Sequence, residues 1–202
     1  MAQGRDRSVA APSRRAKLVR YAKRAVSGRA QLDAILAEGL VAHVGFVQDG
    51  QPYVIPMSYL CRDGRLYLHG SKGSRTVRHL AAGAPVCVTV TLLDSLVASK
   101  AASSHSMNYR SVVVFGRGKP VRGRAANVDL AHALIARYFP GRAPGEAYRA
   151  VTDDELKAVR IVEVEIEEIS GKQRSGGPVN ALDADPGGIG WNGVVPVPRA
   201  GG

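Results

Sequence analysis

The chain has 202 residues and a mass of 21.4 kDa, enough for one core of ordinary size and too few for two full domains. Hydrophobic residues make up 45% and charged residues 22%, a balance that excludes a wholly disordered, collagen-like or coiled-coil chain. The net charge of +11 is uneven: residues 1–30 hold nine Lys or Arg against Asp6, whereas residues 31–202 hold nineteen bases and sixteen acids, so basicity belongs to a leading arm and the remainder has no basic face of the kind that tracks phosphates.

After the arm, Gln31–Glu38 carries Leu32, Ile35 and Leu36 at helical spacing, and Gly39 is expected to end the helix in a left-handed conformation. The apolar run Leu40–Val47, the turn dipeptide Asp49-Gly50 and the β-formers of Gln51–Leu60 predict an antiparallel hairpin. A turn at Arg62-Asp63-Gly64 leads to a third strand, Arg65–His69, so three consecutive antiparallel strands are expected to open the fold. A short helix over Ser74–Ala82 follows, with Gly83 and Pro85 as stops. Val86–Leu92 alternates with period two and predicts a strand. A loop is expected over Asp94–Asn108, then a strand within Tyr109–Val121. Val128, Ala131, Leu134, Ile135 and Tyr138 mark an amphipathic helix ended by Pro140-Gly141.

Thr152 and Glu155 form a capping box before a brief helix, and Val162, Val164 and Ile166 alternate with glutamates in a last strand. From Gly171 onward the Gly- and Pro-rich chain predicts no further elements, only a tail wrapped on the body or on a second subunit. Six strands with short helices between them fit a closed or nearly closed antiparallel β-barrel with peripheral helices, in which runs such as Leu40–Val47 are covered on both sides. The expected division is a basic, flexible arm over 1–27, a barrel domain over 28–175 and a tail over 176–202.

Several classes are unsupported. The longest apolar stretch, Ala81–Leu93, is broken by Gly83 and Pro85 and is too short to span a bilayer, so no membrane association is expected. Cys61 and Cys87 make neither a CxxC nor a disulfide framework, and the N-terminus lacks the apolar core of a secretory signal, which together suggest a reducing cytoplasm; an Arg-rich, acid-poor start also fits an organellar transit peptide. Dinucleotide, P-loop, hydrolase-elbow and zincin motifs are absent, and the five histidines are too scattered for a metal site. Nucleic acid is expected as a partner only through the basic arm.

One segment has a clear mechanism. Leu66–Arg75 reads LYLHGSKGSR, a strand ending in a loop that opens a helix, so backbone amides, the hydroxyls of Ser71 and Ser74 and the cations of Lys72 and Arg75 converge on one point fit to hold a phosphate. The alternative is a solvated turn in which Ser74 is only a helix cap.

The order of a helix, the hairpin LVAHVGFVQDGQPYVIPMSYL, the segments LYLHGSKGSRTVRHLAAG, PVCVTVTLLD and HSMNYRSVVVFGRGKPV, and ISGKQR at 169–174 resembles the pyridoxamine 5′-phosphate oxidase-like family with the FMN-binding split-barrel fold. The branch it resembles most includes the Nim-type nitroimidazole-resistance proteins, and the likeness covers roughly residues 28–175. The resemblance implies a homodimer with two FMN molecules in clefts between subunits. It implies that Ser71, Lys72, Ser74 and Arg75 bind the flavin phosphate, that Ile55, Pro56, Met57 and Ser58 run beside the ring, and that Lys172 and Arg174 meet the ring's carbonyl side or a substrate anion. It also implies that His69 contacts a small-molecule substrate, the alternative being a strand-end histidine bonded to backbone. Asn108 and Tyr109 are expected to line the pocket.

The paired arginine and tryptophan by which true pyridoxamine phosphate oxidases hold substrate are not found. Relatives in the same superfamily bind haem or the deazaflavin F420. Two functions therefore remain: an FMN-dependent oxidoreductase acting on a small oxidised or nitroaromatic acceptor, and a non-catalytic flavin- or haem-binding module.

Overall fold

The structure is a computed structural model that describes residues 13–198; Arg5, Asp6 and Arg7 of the basic arm lie outside the described residues. Strand β1 (Ala25–Val26) precedes helix α1 (Arg29–Glu38), β2 (Ala42–Gln48), β3 (Gln51–Met57), β4 (Tyr59–Arg62), β5 (Arg65–Ser71), α2 (Arg75–Ala81) and β6 (Pro85–Ala98). Then come β7 (Ser106–Pro120), α3 (Arg124–Tyr138), α4 (Asp153–Ala158), β8 (Val159–Arg174) and β9 (Gly193–Pro196). The ladder is antiparallel in the order β3-β2-β6-β7-β8-β5-β4, with β1 on β8 and β9 on β6. The fold is a mainly β split barrel with peripheral helices.

Both tight turns form as the dipeptides dictate. Asp49 and Gly50 have φ of 52° and 76°, and Asp63 and Gly64 have 52° and 71°, the two positive-φ positions that match the twist of paired strands. The sheet coils because alternate residues of nearly every strand meet in one core. Val44 and Phe46, Tyr59, Leu66 and Leu68, Val88 and Val90, Val112 and Val114, and Val162 and Val164 pack together, with Leu32, Ile35 and Leu36 of α1 at one end and Val77 and Leu80 of α2 at another.

Three expectations about the opening strands are corrected. The strand predicted over Gln51–Leu60 is broken at Ser58, because the Tyr59 amide donates to the Tyr138 hydroxyl of α3 (2.8 Å) and the Tyr59 hydroxyl turns inward to donate to the Leu36 carbonyl (2.5 Å). Burial pushes that hydroxyl's pKa up. The first strands are consequently not consecutive neighbours: β3 pairs with β2, whereas β4 and β5 pair with each other and join through β8. No ladder closes β3 onto β4. Nor is the run over 40–47 covered on both sides, since Leu40, Val41 and Val47 are exposed.

Gly39 ends α1 without going left-handed (φ −64°). It is there for closeness, because a Cβ would strike Val90 Cγ1 and lie 3.0 Å from the Tyr59 hydroxyl. Arg137 supplies the cap, donating to the carbonyls of Leu36, Ala37 and Gly39, a cation at the negative end of the helix. The predicted capping box at Thr152 is present.

The loop expected over Asp94–Asn108 shrinks to 99–105. A bulge between Leu93 and Ser95 lets β6 continue to Ala98, with Asp94 tied to Arg110 at 2.9 Å. The tail also contains elements: β9 pairs with Ser95–Ala98, and Asp183 accepts from Ser99 Oγ and the Lys100 and Asn180 amides. Residues at 13–26 return to the barrel, where Arg15 pairs with Glu167 and Glu168. No helix among the described residues is long and apolar enough to cross a membrane.

Helix α2 rests on β7 at Gly118, where a Cβ would strike the Leu80 carbonyl oxygen and lie 2.9 Å from Val162 Cγ1. Gly118→Ala should therefore destabilise the fold by about 1–3 kcal/mol through overpacking, read by urea denaturation; an unchanged midpoint would contradict this packing.

Candidate functional site

Strand β5 runs antiparallel to β8 from the pair Arg65–Glu165 to the pair Ser71–Val159. The Lys72 amide then donates to the Ala158 carbonyl (3.0 Å), so the loop after β5 is fastened to the start of β8. Inside it the Ser74 amide donates to the Ser71 carbonyl (3.0 Å), the Gly73 amide to Ser71 Oγ (3.3 Å) and the Val77 amide to Ser74 Oγ (3.1 Å). Several amides that an anion could have taken are thus used to shape the turn, a correction to the expectation that they are free. The two hydroxyl hydrogens, Lys72 and Arg75 remain available.

Neither Lys72 nor Arg75 forms an ion pair among the described residues, whereas Arg15, Arg62, Arg110 and Arg149 each face a carboxylate. The Arg75 guanidinium lies 4.3 Å from the Tyr53 ring centroid, and Tyr53 stacks on Phe46 at 5.4 Å. This cation–π seat on the end of β3 holds Arg75 beside the loop without neutralising it. A Cβ on Gly70 would lie 3.0 Å from Val77 Cγ2 and 3.9 Å from Met57 Cε, so Met57 is also beside the loop. Ile55, Pro56 and Ser58 are exposed along the same stretch of chain.

Beside β5 lies a cavity of about 790 Å³ bounded by Ser58 and His69, by His132 and Ile135 of α3, and by Tyr148 and Ile161. His69 Nδ1 and His132 Nε2 are buried without hydrogen-bond partners, so the alternative in which His69 is satisfied by backbone fails at Nδ1. Burial holds the His69 imidazole below its ordinary pKa, which keeps it neutral and able to accept or ligate near pH 7. Arg149 lines the mouth and is bonded to Glu155 at 2.8 Å; this pair and the Thr152 amide pull the Glu155 carboxyl down to about 2.

Sequence reasoning missed His132. It flanks the stripe of α3, three residues before Ile135, and only the packing of α3 on β5 and β8, through Leu130 against Tyr67 and Ile161, brings it to the same cavity as His69. Lys172 and Arg174 lie at the opposite end of β8, where Lys172 pairs with Ala25, and within one chain they do not join the loop. Asn108 does not line this cavity: it is buried, donating to Ser95 Oγ (2.8 Å) and the Gly176 carbonyl (3.1 Å). Tyr109 pairs with Arg174 in the ladder.

The family model described as pyridoxamine 5′-phosphate oxidase matches residues 28–173. The chain belongs to this family. Among solved structures, the flavocytochrome Anf3 from Azotobacter vinelandii shares 32% identity over 94% of this chain and 86% of that one, with a TM-score of 0.83. The FAD and heme binding protein from Mycobacterium smegmatis shares 35% over 86% and 84%, with a TM-score of 0.77. A structure assigned to 5-nitroimidazole antibiotic resistance, from Bacteroides thetaiotaomicron VPI-5482, shares 21% over 74% and 86%, with a TM-score of 0.60, and supports the fold alone. No curated protein matches the sequence.

Because the folded chain resists a proton that the unfolded chain accepts below about pH 6.5, His69 should subtract stability as pH falls through that value and contribute nothing above it. An NMR titration should place the His69 midpoint below 6.5; a midpoint at or above it would contradict the buried placement.

Proposed function

We propose that this protein is a flavin-dependent redox protein that clasps the flavin phosphate with Ser71, Lys72, Ser74 and Arg75 and passes electrons to a small oxidised acceptor, nitroaromatic compounds included. The observation that carries it is the presence of two unpaired cations and two hydroxyls on a loop fixed to β8, in a chain of this family. A phosphate there gains charge-assisted hydrogen bonds without first breaking an ion pair. The bound flavin supplies the hydride or electron transfer. The chain's own task is to hold the phosphate, to run Ile55, Pro56, Met57 and Ser58 beside the ring and to exclude water. FMN is the smallest ligand this loop accounts for.

A second cofactor is supported by a separate observation. The largely apolar cavity with two unpartnered imidazole nitrogens fits haem, and two relatives at more than 30% identity are described as a flavocytochrome and as binding FAD and heme. We assign His69 as the first choice of iron ligand and His132 as the second, because a neutral imidazole is the form that ligates. When bound, haem supplies one-electron chemistry. On this reading His69 serves haem; without haem it faces the acceptor substrate.

The working unit is a homodimer. Strand β3 is an open sheet edge, and Val54, Ile55, Leu40, Val41 and Val47 expose apolar surface on or beside it, the kind of edge that a second copy covers. Cys61 and Cys87 are both free, in keeping with a reducing cytoplasm.

The purified protein, reconstituted with flavin and haem in turn, should show flavin absorption bleached by a reduced nicotinamide donor, and a Soret band that His69→Ala shifts or removes. Lys72→Ala with Arg75→Ala should weaken flavin binding about a hundredfold or more, as expected for two lost charge-assisted contacts at about 1.5–3 kcal/mol each. Equal flavin affinity in the double variant would remove the phosphate assignment, and a Soret band indifferent to both His69→Ala and His132→Ala would remove the haem assignment.

A further inference from the structure

We propose that the end of the basic arm and the end of β8 form a second anion site, for the phosphate group of a small phosphorylated ligand other than the flavin. A cleft of about 330 Å³ is lined by Lys23 and Arg24 from the arm and by Gln173, Arg174, Gly176, Gly177 and Val179. This volume lies at the lower end of small-molecule sites, adequate for a phosphorylated ligand of modest size. It stands at the opposite end of β8 from the loop after β5, since Lys172 pairs with Ala25 and Val159 with Ser71.

No carboxylate is among the lining residues, and Lys23, Arg24, Lys172 and Arg174 form no ion pair among the described residues, whereas eight of the eighteen described arginines are matched with acids. Like charges held together in this way repel unless an anion joins them. The cluster is also built. Arg174 donates to Asn108 Oδ1 and to the Gly176 and Gly177 carbonyls, and Asn108 is anchored in turn on buried Ser95. This fixes the guanidinium by its inner edge and leaves further N–H groups for a ligand.

On the arm side, Tyr21 adopts a left-handed backbone (φ 57°, ψ 48°) that non-glycine residues rarely hold. Its ring carries Arg24 at 4.5 Å and Lys172 at 5.7 Å, gathering cations from two separate segments. The arm's charge thus has a specific place on the barrel. A phosphate ester is the ligand chemistry that three or four convergent Lys and Arg groups recognise, and it has two sources here: a phosphorylated nicotinamide donor or a phosphorylated substrate.

The test uses the full-length chain with Lys72→Ala and Arg75→Ala, so that the loop after β5 no longer competes, and isothermal titration with inorganic pyrophosphate. Pyrophosphate should bind this protein, and adding Lys23→Ala and Arg24→Ala should weaken that binding at least tenfold with the thermal midpoint unchanged. Absence of binding, or equal affinity in the two proteins, overturns the proposal and leaves the flavin assignment untouched. In flavin-loaded protein with the loop intact, a raised KM for NADPH with unchanged KM for NADH assigns the site to the donor. Unchanged KM for both donors, with pyrophosphate binding still lost, assigns it to a phosphorylated substrate.

Discussion

The pairing of β5 with β8 is the constraint on which the site depends. Seven residue pairs from Arg65–Glu165 to Ser71–Val159 fix the direction in which β5 ends, and the Lys72–Ala158 hydrogen bond fixes where it turns. Period two then does the rest: Leu66 and Leu68 point into the core, while His69 and Ser71 share the opposite face near the strand's end. One ladder thus presents a cationic loop and a histidine-lined cavity at a single strand end.

This arrangement separates two kinds of chemistry. The loop offers charge and hydroxyls to an anion, held by an aromatic seat that leaves the guanidinium unneutralised. The cavity offers apolar walls and unpartnered imidazole nitrogens, groups suited to a planar ligand or a metal-bearing macrocycle and poorly suited to phosphate. On the proposed reading, a flavin and haem, or a flavin and an uncharged acceptor, occupy adjacent sites that share only Ser58. The same separation recurs at the other end of β8, where cations of the arm collect without acids.

Much of this was legible in local sequence, and the parts that were not depend on distant partners. Asp49-Gly50 and Asp63-Gly64 define their turns because only certain residues accept two positive φ angles in succession. Ser74 and Thr152 announce helix starts through side chains that act within three residues. The residues Leu66–Arg75 themselves marked the loop after β5, and the family resemblance, carried by segments in order, pointed to His69. The break at Ser58 was hidden because the group that captures the Tyr59 amide is Tyr138, far along the chain. Asp94 and Ser95 read as loop because their partners, Arg110 and Asn108, become visible only once β6 and β7 are paired. His132 was hidden for the same reason, and so was β9, whose short run earns its hydrogen bonds from the far end of β6.

The most direct measurement of the central claim is a crystal structure of the flavin complex. The flavin phosphate is expected within hydrogen-bond distance of Ser71 Oγ or Ser74 Oγ and of the Lys72 and Arg75 cations. A flavin whose phosphate contacts none of these four side chains would contradict it.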